Sequence, residues 1–181
     1  MSRLSAHTLD GNPSVKSKKP YRLRKWKLAP PQDAVFFTCA RPGRSARSTS
    51  RDAQVPDDEV SRWVLGLPSP KTAIISLLGE KPDGSSEFRF YSFGSALGPN
   101  SDGSETFSDW LGRVHSDLGI IVCEHPTTDF NPVEAAILDA ASESLRRLAS
   151  KGHTVVVVDS GGEQRTRQLC RHLGASETFS V

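Results

Sequence analysis

Cysteine is scarce in this chain: three residues, Cys39, Cys123 and Cys170, scattered and odd in number. That pattern excludes a disulfide framework and a cysteine-ligated zinc site, and it fits free thiols in a reducing, cytoplasmic compartment. Long apolar runs are also missing. None approaches the roughly 18 residues of a membrane span, and no signal-peptide core is present, so no membrane partner is expected. Hydrophobic residues make up only 36% of the 181 positions, which still allows one packed domain plus a tail. No metal-ligand spacing and no cofactor fingerprint stands out, so the expected chemistry uses neither.

Acidic residues are nearly absent from one region. Residues 1–52 carry twelve Lys/Arg against three Asp/Glu, and the rest of the chain carries eleven against eighteen. Stretches such as KSKKPYRLRKWK and RPGRSARSTSR are rich in Ser, Pro and cations and lack apolar periodicity. Such a composition buries too little surface to offset ordering entropy, so residues 1–54 are predicted to be a basic, flexible N-terminal segment. Its functional reading is an electrostatic tether to nucleic acid or to an acidic protein, with Tyr21 and Trp26 as stacking groups. Nucleic-acid binding is expected through this segment alone.

What remains, residues 55–181, reads as an α/β domain. VPDDEVSRWVLGLP predicts a helix with Val60, Trp63 and Val64 on one side and Gly66 as its stop. TAIISLLG, LGIIVCEHP and HTVVVVD are apolar runs of strand length, each suited to burial on both faces. EFRFYSF, after the turn residues Pro82, Asp83 and Gly84, predicts one further strand, an edge one by its alternation. Ser104 to Asp117 has Phe107, Trp110, Leu111 and Val114 at helical spacing. A well-marked helix follows, with Asn131 as cap, Pro132 in the first turn, Glu134 closing a capping box and Gly152 as the end. Its apolar stripe is Val133, Ile137, Ala140, Ala141, Leu145 and Leu148. A last helix spans about Gly162 to Leu173. Alternation of this kind argues for a mainly parallel central sheet flanked by helices, with ligands at the carboxyl ends of the strands.

Two polar loops lie at those ends, HPTTDF and DSGGEQRT. In the second, Ser160, Gly161 and Gly162 let the backbone turn tightly and aim several amides at one point. The following helix adds its positive end, and Arg165 adds a guanidinium fork. That chemistry suits a tetrahedral oxyanion. With Asp159 first, the string D-S-G-G-E-Q-R-T matches C-x-x-G-x-x-R-[ST] at every fixed position except the cysteine.

The loop thereby resembles the signature loop of the protein tyrosine and dual-specificity phosphatases. Asp129, on a loop thirty residues upstream, stands where that family places its general acid. The resemblance covers about Val55 to Ala175. It implies Ser160, Gly161, Gly162, Glu163, Gln164, Arg165 and Thr166 as the phosphate-binding loop. Arg165 would be the phosphate clamp, Thr166 the loop hydroxyl and Asp129 the proton donor. The nucleophile does not carry over, because Asp159 replaces the thiol. Asp159 is expected to be ionised there, to pair with Arg165 and to mimic a bound phosphate from within. The implied function is that of a pseudophosphatase that acts by binding a phosphorylated or other protein; an aspartyl-phosphate route through Asp159 is the active alternative.

Bland readings compete with these. Thr127, Thr128 and Asp129 are also ordinary turn residues before a helix. His125 and His153 can simply finish strands, and Cys123 and Cys170 read as core thiols. Cys39 precedes the basic stretch ARPGRS, but Arg44 sits one residue too close for the phosphatase spacing. A rival resemblance comes from LRRLASKGHTVVVV followed by RQLCRHLGASETFSV, which is similar to the C-terminal half of STAS domains, the anti-sigma-factor antagonists. It implies an interaction module switched by phosphorylation of Thr127 or Thr128.

Overall fold

A computed structural model of the chain describes residues 22–42, 57–68, 70–79, 107–128 and 130–178. Its elements are β1 (Arg24–Lys27), β2 (Val35–Ala40), α1 (Asp57–Leu65), β3 (Thr72–Ser76) and α2 (Phe107–Val114), then β4 (Ile121–Glu124), α3 (Ala135–Ser150), β5 (Thr154–Asp159), α4 (Gln164–His172) and β6 (Ser176–Thr178). The predicted strand at EFRFYSF, its turn at residues 82–84, and Asp129 lie outside the described residues.

The three apolar runs form β3, β4 and β5. In β5, Val156 and Val158 face one core, with Cys39, Trp63, Ile74 and Trp110. Val155 and Val157 face the other, with Trp26, Phe36, Leu145 and Leu169. A strand whose alternate residues enter two cores must be apolar throughout, which is why the run is unbroken. Helices α1 and α2 supply the first core and α3 and α4 the second, so the sheet is the middle layer.

Two expectations fail together. Residues 1–54 do not all stand outside the domain, and the sheet is not mainly parallel. Its strand order is β4-β3-β5-β2-β1-β6. Strands β4, β3, β5 and β2 pair in parallel, while β1 joins both β2 and β6 antiparallel. Among the described residues the result is a mixed six-stranded sheet. The segment read as a tail therefore supplies β2 beside the central strand, and β1 beyond it. VFFTCA was apolar enough to be a strand, but its cationic surroundings hid it. Trp26 is 9% exposed, sits in the second core and donates its indole N–H to Thr38 Oγ1 at 3.0 Å. It is not a free stacking group.

Two helices differ from expectation at their ends. Helix α2 stops at Val114, and a 3-10 turn covers Ser116–Leu118. Helix α3 begins at Ala135 with Glu134 as its cap and no side-chain capping bond. The capping box does not form: the Asn131 N–H that Glu134 would accept donates to Thr128 O at 3.4 Å, and the buried Val133 gives its N–H to Gln168 Oε1 of α4 at 2.9 Å. Ala140 is exposed, whereas Ser142 and Ser144 join Ala141, Leu145 and Leu148 on the buried face.

Candidate functional site

At the carboxyl end of β5 the chain turns through Ser160 to Glu163 into α4. Gly162 has φ +70, and a Cβ there would collide with the main chain of Cys39 and Ala40. Only glycine permits this turn to pass so close to β2. The approach is braced on both sides: Arg41 N–H donates to Asp159 O at 2.9 Å, and Trp63 of α1 donates its indole N–H to Ala40 O at 3.1 Å.

The Asp159 carboxylate lies inside the turn and is 1% exposed. Its Oδ1 accepts from the main-chain N–H of Gly162 and, at 3.3 Å, from that of Glu163. Its Oδ2 accepts from the N–H groups of Arg165 and Thr166, both at 2.9 Å. Four amides at the start of a helix thus converge on one internal carboxylate. They are the donors that a helix leaves without intrahelical partners, so the side chain satisfies them from within.

Arg165 is buried as well, and it meets Asp159 through its main-chain N–H. Its guanidinium Nη1 donates to Leu77 O at 3.1 Å and to Thr127 Oγ1 at 3.0 Å. Thr127 in turn donates to Leu77 O at 2.7 Å. This joins the loops after β3 and β4 to α4. Gly79 permits it, since a Cβ there would run into the main chain of Thr127. From sequence Thr127 was named only as a turn residue or phosphorylation switch in the HPTTDF loop, not as a partner of Arg165, and Gly79 was given no role in the site. The signals were the placing of HPTTDF at a strand end and a glycine directly after an apolar strand.

The remaining loop residues divide by direction. Gly161 is exposed and Ser160 half-buried, and they form the turn itself. Glu163 points outward and pairs with Arg24 of β1 at 2.5 Å; Arg24 also reaches Glu177 at 3.3 Å. Gln164 lines an outer groove. Thr166 contributes its N–H, while its buried hydroxyl has no hydrogen-bond partner among the described residues. The side chain expected to act as the loop hydroxyl therefore does not bond to Asp159.

Cys39 and Cys170 are buried, and Cys123 is partly buried. Cys39 is buried beside Asp159, and burial first, then that carboxylate, pushes its thiol far above the ordinary range. Cys170 is pushed up to about 12, mainly by burial, with Glu177 and Asp159 adding to the rise against the opposing effect of Arg167. His125 is held below the usual imidazole range by burial and then by Arg147, and its Nε2 lies 3.1 Å from Ser144 Oγ. His153 faces the Lys71 carbonyl at 3.2 Å. No cluster of metal-ligating residues occurs among the described residues, and no described helix is long and apolar enough to cross a membrane.

No protein-family model matches the chain, and no curated protein matches its sequence. A solved structure does resemble it: the crystal structure of kinase associated phosphatase in which the catalytic-site cysteine is replaced by serine. The match has a TM-score of 0.53 at 16% identity and covers 85% of this chain and 72% of that one. At that identity the likeness concerns the fold, and the fold of this chain is phosphatase-like.

Proposed function

We propose that this domain is a pseudophosphatase: a tyrosine/dual-specificity phosphatase-like fold whose anion cradle is filled by its own Asp159, and which acts by binding a protein. The observation that carries this reading is the set of four amides held by one carboxylate. A phosphoryl group would need the same donors. It would also approach a negative charge where a phosphatase presents a nucleophile to phosphorus. Two unit charges 4 Å apart at an effective dielectric of 20 repel by about 4 kcal/mol. Attack by Asp159 itself is disfavoured, because both its oxygens are committed to N–H donors and shielded from solvent. Arg165, spent on Leu77 and Thr127, braces the loop in this reading. The free thiols suit a reducing cytoplasmic setting, and any nucleic-acid contact would use cations of residues 1–54 other than those holding β1.

Turnover of an aryl phosphate by the wild-type protein and by Asp159→Cys tests this. The wild type is expected to be inert, and a robust wild-type rate would overturn the reading. Asp159→Gly, with the cradle vacated, should gain thermal stability from inorganic phosphate or tungstate, which leave the wild type unaffected.

One observation keeps the STAS-like interaction module as a second reading: Phe130, within the 127–131 loop, is 51% exposed. Thr127 is a poor switch residue for it, being buried and bonded to Leu77 and Arg165. Thr128 is exposed. A Thr128→Glu variant that gains or loses a partner would favour this second reading.

A further inference from the structure

Outside the cradle, a shallow groove of about 380 Å³ runs between the 130–132 turn and the outer face of α4. Phe130, Pro132, Glu163, Gln164, Arg167 and Arg171 line it. Asp159 does not, so what the groove binds is independent of how the cradle is read.

Phe130 adopts φ +65, a left-handed conformation that bulky residues rarely occupy. The Asn131 N–H closes the turn onto Thr128 O at 3.4 Å, and Val133 just downstream is tied to Gln168. The outcome is an aromatic ring kept half in solvent at the groove edge, instead of folded into either core. Strain of this kind, imposed by surrounding structure, is commonly found at binding sites.

The charge of the groove is unbalanced. Arg167 and Arg171 stand one turn apart on α4, a spacing at which like charges repel. Among the described residues Glu163 is the only acid in the lining, and it is already engaged: its Oε1 lies 2.5 Å from Arg24, while its Oε2 is 4.0 Å from Arg167. An occupant that supplied carboxylates would relieve the repulsion between the two guanidinium groups, and an apolar side chain on it would cover Phe130.

We infer that this groove docks an acidic peptide segment of a protein partner. Its carboxylates would meet Arg167 and Arg171, and an adjacent apolar residue would rest on Phe130 and Pro132. Such a surface would give the inert domain its binding role without using the cradle.

The test pans a random peptide library on the intact protein and measures the enriched peptides by fluorescence anisotropy. Enriched sequences should carry acids flanking an apolar residue. Arg167→Glu/Arg171→Glu should weaken them by about tenfold or more, and affinity should fall as added salt shortens the Debye length below about 10 Å. Phe130→Gly, which suits the backbone there, should keep the fold and still lose affinity. Arg167→Gln/Arg171→Gln serves if charge reversal disturbs folding. Neutral or basic winners, no enrichment, or acidic peptides that bind the arginine variants as tightly as wild type would each overturn the inference. Wild-type phosphatase turnover would instead sink the pseudophosphatase reading and leave this one standing.

Discussion

Strands β5 and β1 belong to the same sheet and are made of opposite material. TVVVVD lies between β3 and β2 with helices on both faces, and its four valines are fully buried. RKWK lies near the sheet edge, and only Trp26 enters a core. Burial holds β5, at roughly 1.5–3 kcal/mol per large aliphatic side chain. Directed bonds hold β1: Trp26 to Thr38, Arg24 to Glu163 and Glu177, and Lys27 to Asp33 at 2.7 Å. Yet both serve one loop, since β5 ends in Asp159 and β1 grips Glu163. A strand can thus be secured by non-directional burial or by a few named pairs, and only the second kind leaves its cations in the sequence as apparent tail.

Four perturbations test this contrast. Gly162→Ala should cost about 3 kcal/mol or more, because it combines a positive φ with a collision against the main chain of β2. Urea unfolding measures it, and a cost near zero would mean that the β5 loop does not pass so close to β2. Trp26→Phe keeps most of the buried area and removes one indole donor, leaving Thr38 Oγ1 without it. A loss of about 1–2 kcal/mol is expected in the same assay; no loss would show that β1 is held by burial after all. Arg24→Gln should cost about 0.5–1 kcal/mol, and that difference should shrink in high salt. Equal stability at low salt would remove Arg24 as the link between β1 and the loop.

The smallest effect concerns His125, after the opposite sheet edge. Its folded form favours neutral imidazole, since burial and Arg147 lower its pKa. The unfolded chain therefore takes up the proton first as pH falls. Stability supplied by this group is present above the ordinary value of 6.5 and drains away as pH drops through it towards the folded value. Wild type should lose more stability than His125→Gln between neutral and mildly acidic pH. Parallel curves would show that this edge is indifferent to the histidine.

Much of the parallel part was legible because its signals are local. Apolar runs marked β3, β4 and β5, and Val60, Trp63 and Val64 marked α1. The loop chemistry was legible for the same reason: Gly162 and an acid next to a helix start are neighbours in sequence. The capping box at Asn131 and Glu134 failed because the Asn131 N–H goes to Thr128 O in the preceding turn, while the distant Gln168 takes the neighbouring Val133 N–H. Trp26 was misplaced because cations around it imitate a tail, although their stems and charges can be satisfied on a sheet edge.

By itself, then, the sequence determined a layered α/β domain and a tight, glycine-dependent turn headed by an acid, since such features depend on residues a few positions apart. Tertiary structure alone decided that a basic stretch completes the sheet, that Arg165 reaches Leu77 and Thr127, and that Phe130 stands beside Arg167 and Arg171. Each of those depends on partners far apart along the chain, and such pairings acquire an energy only once the layers have packed.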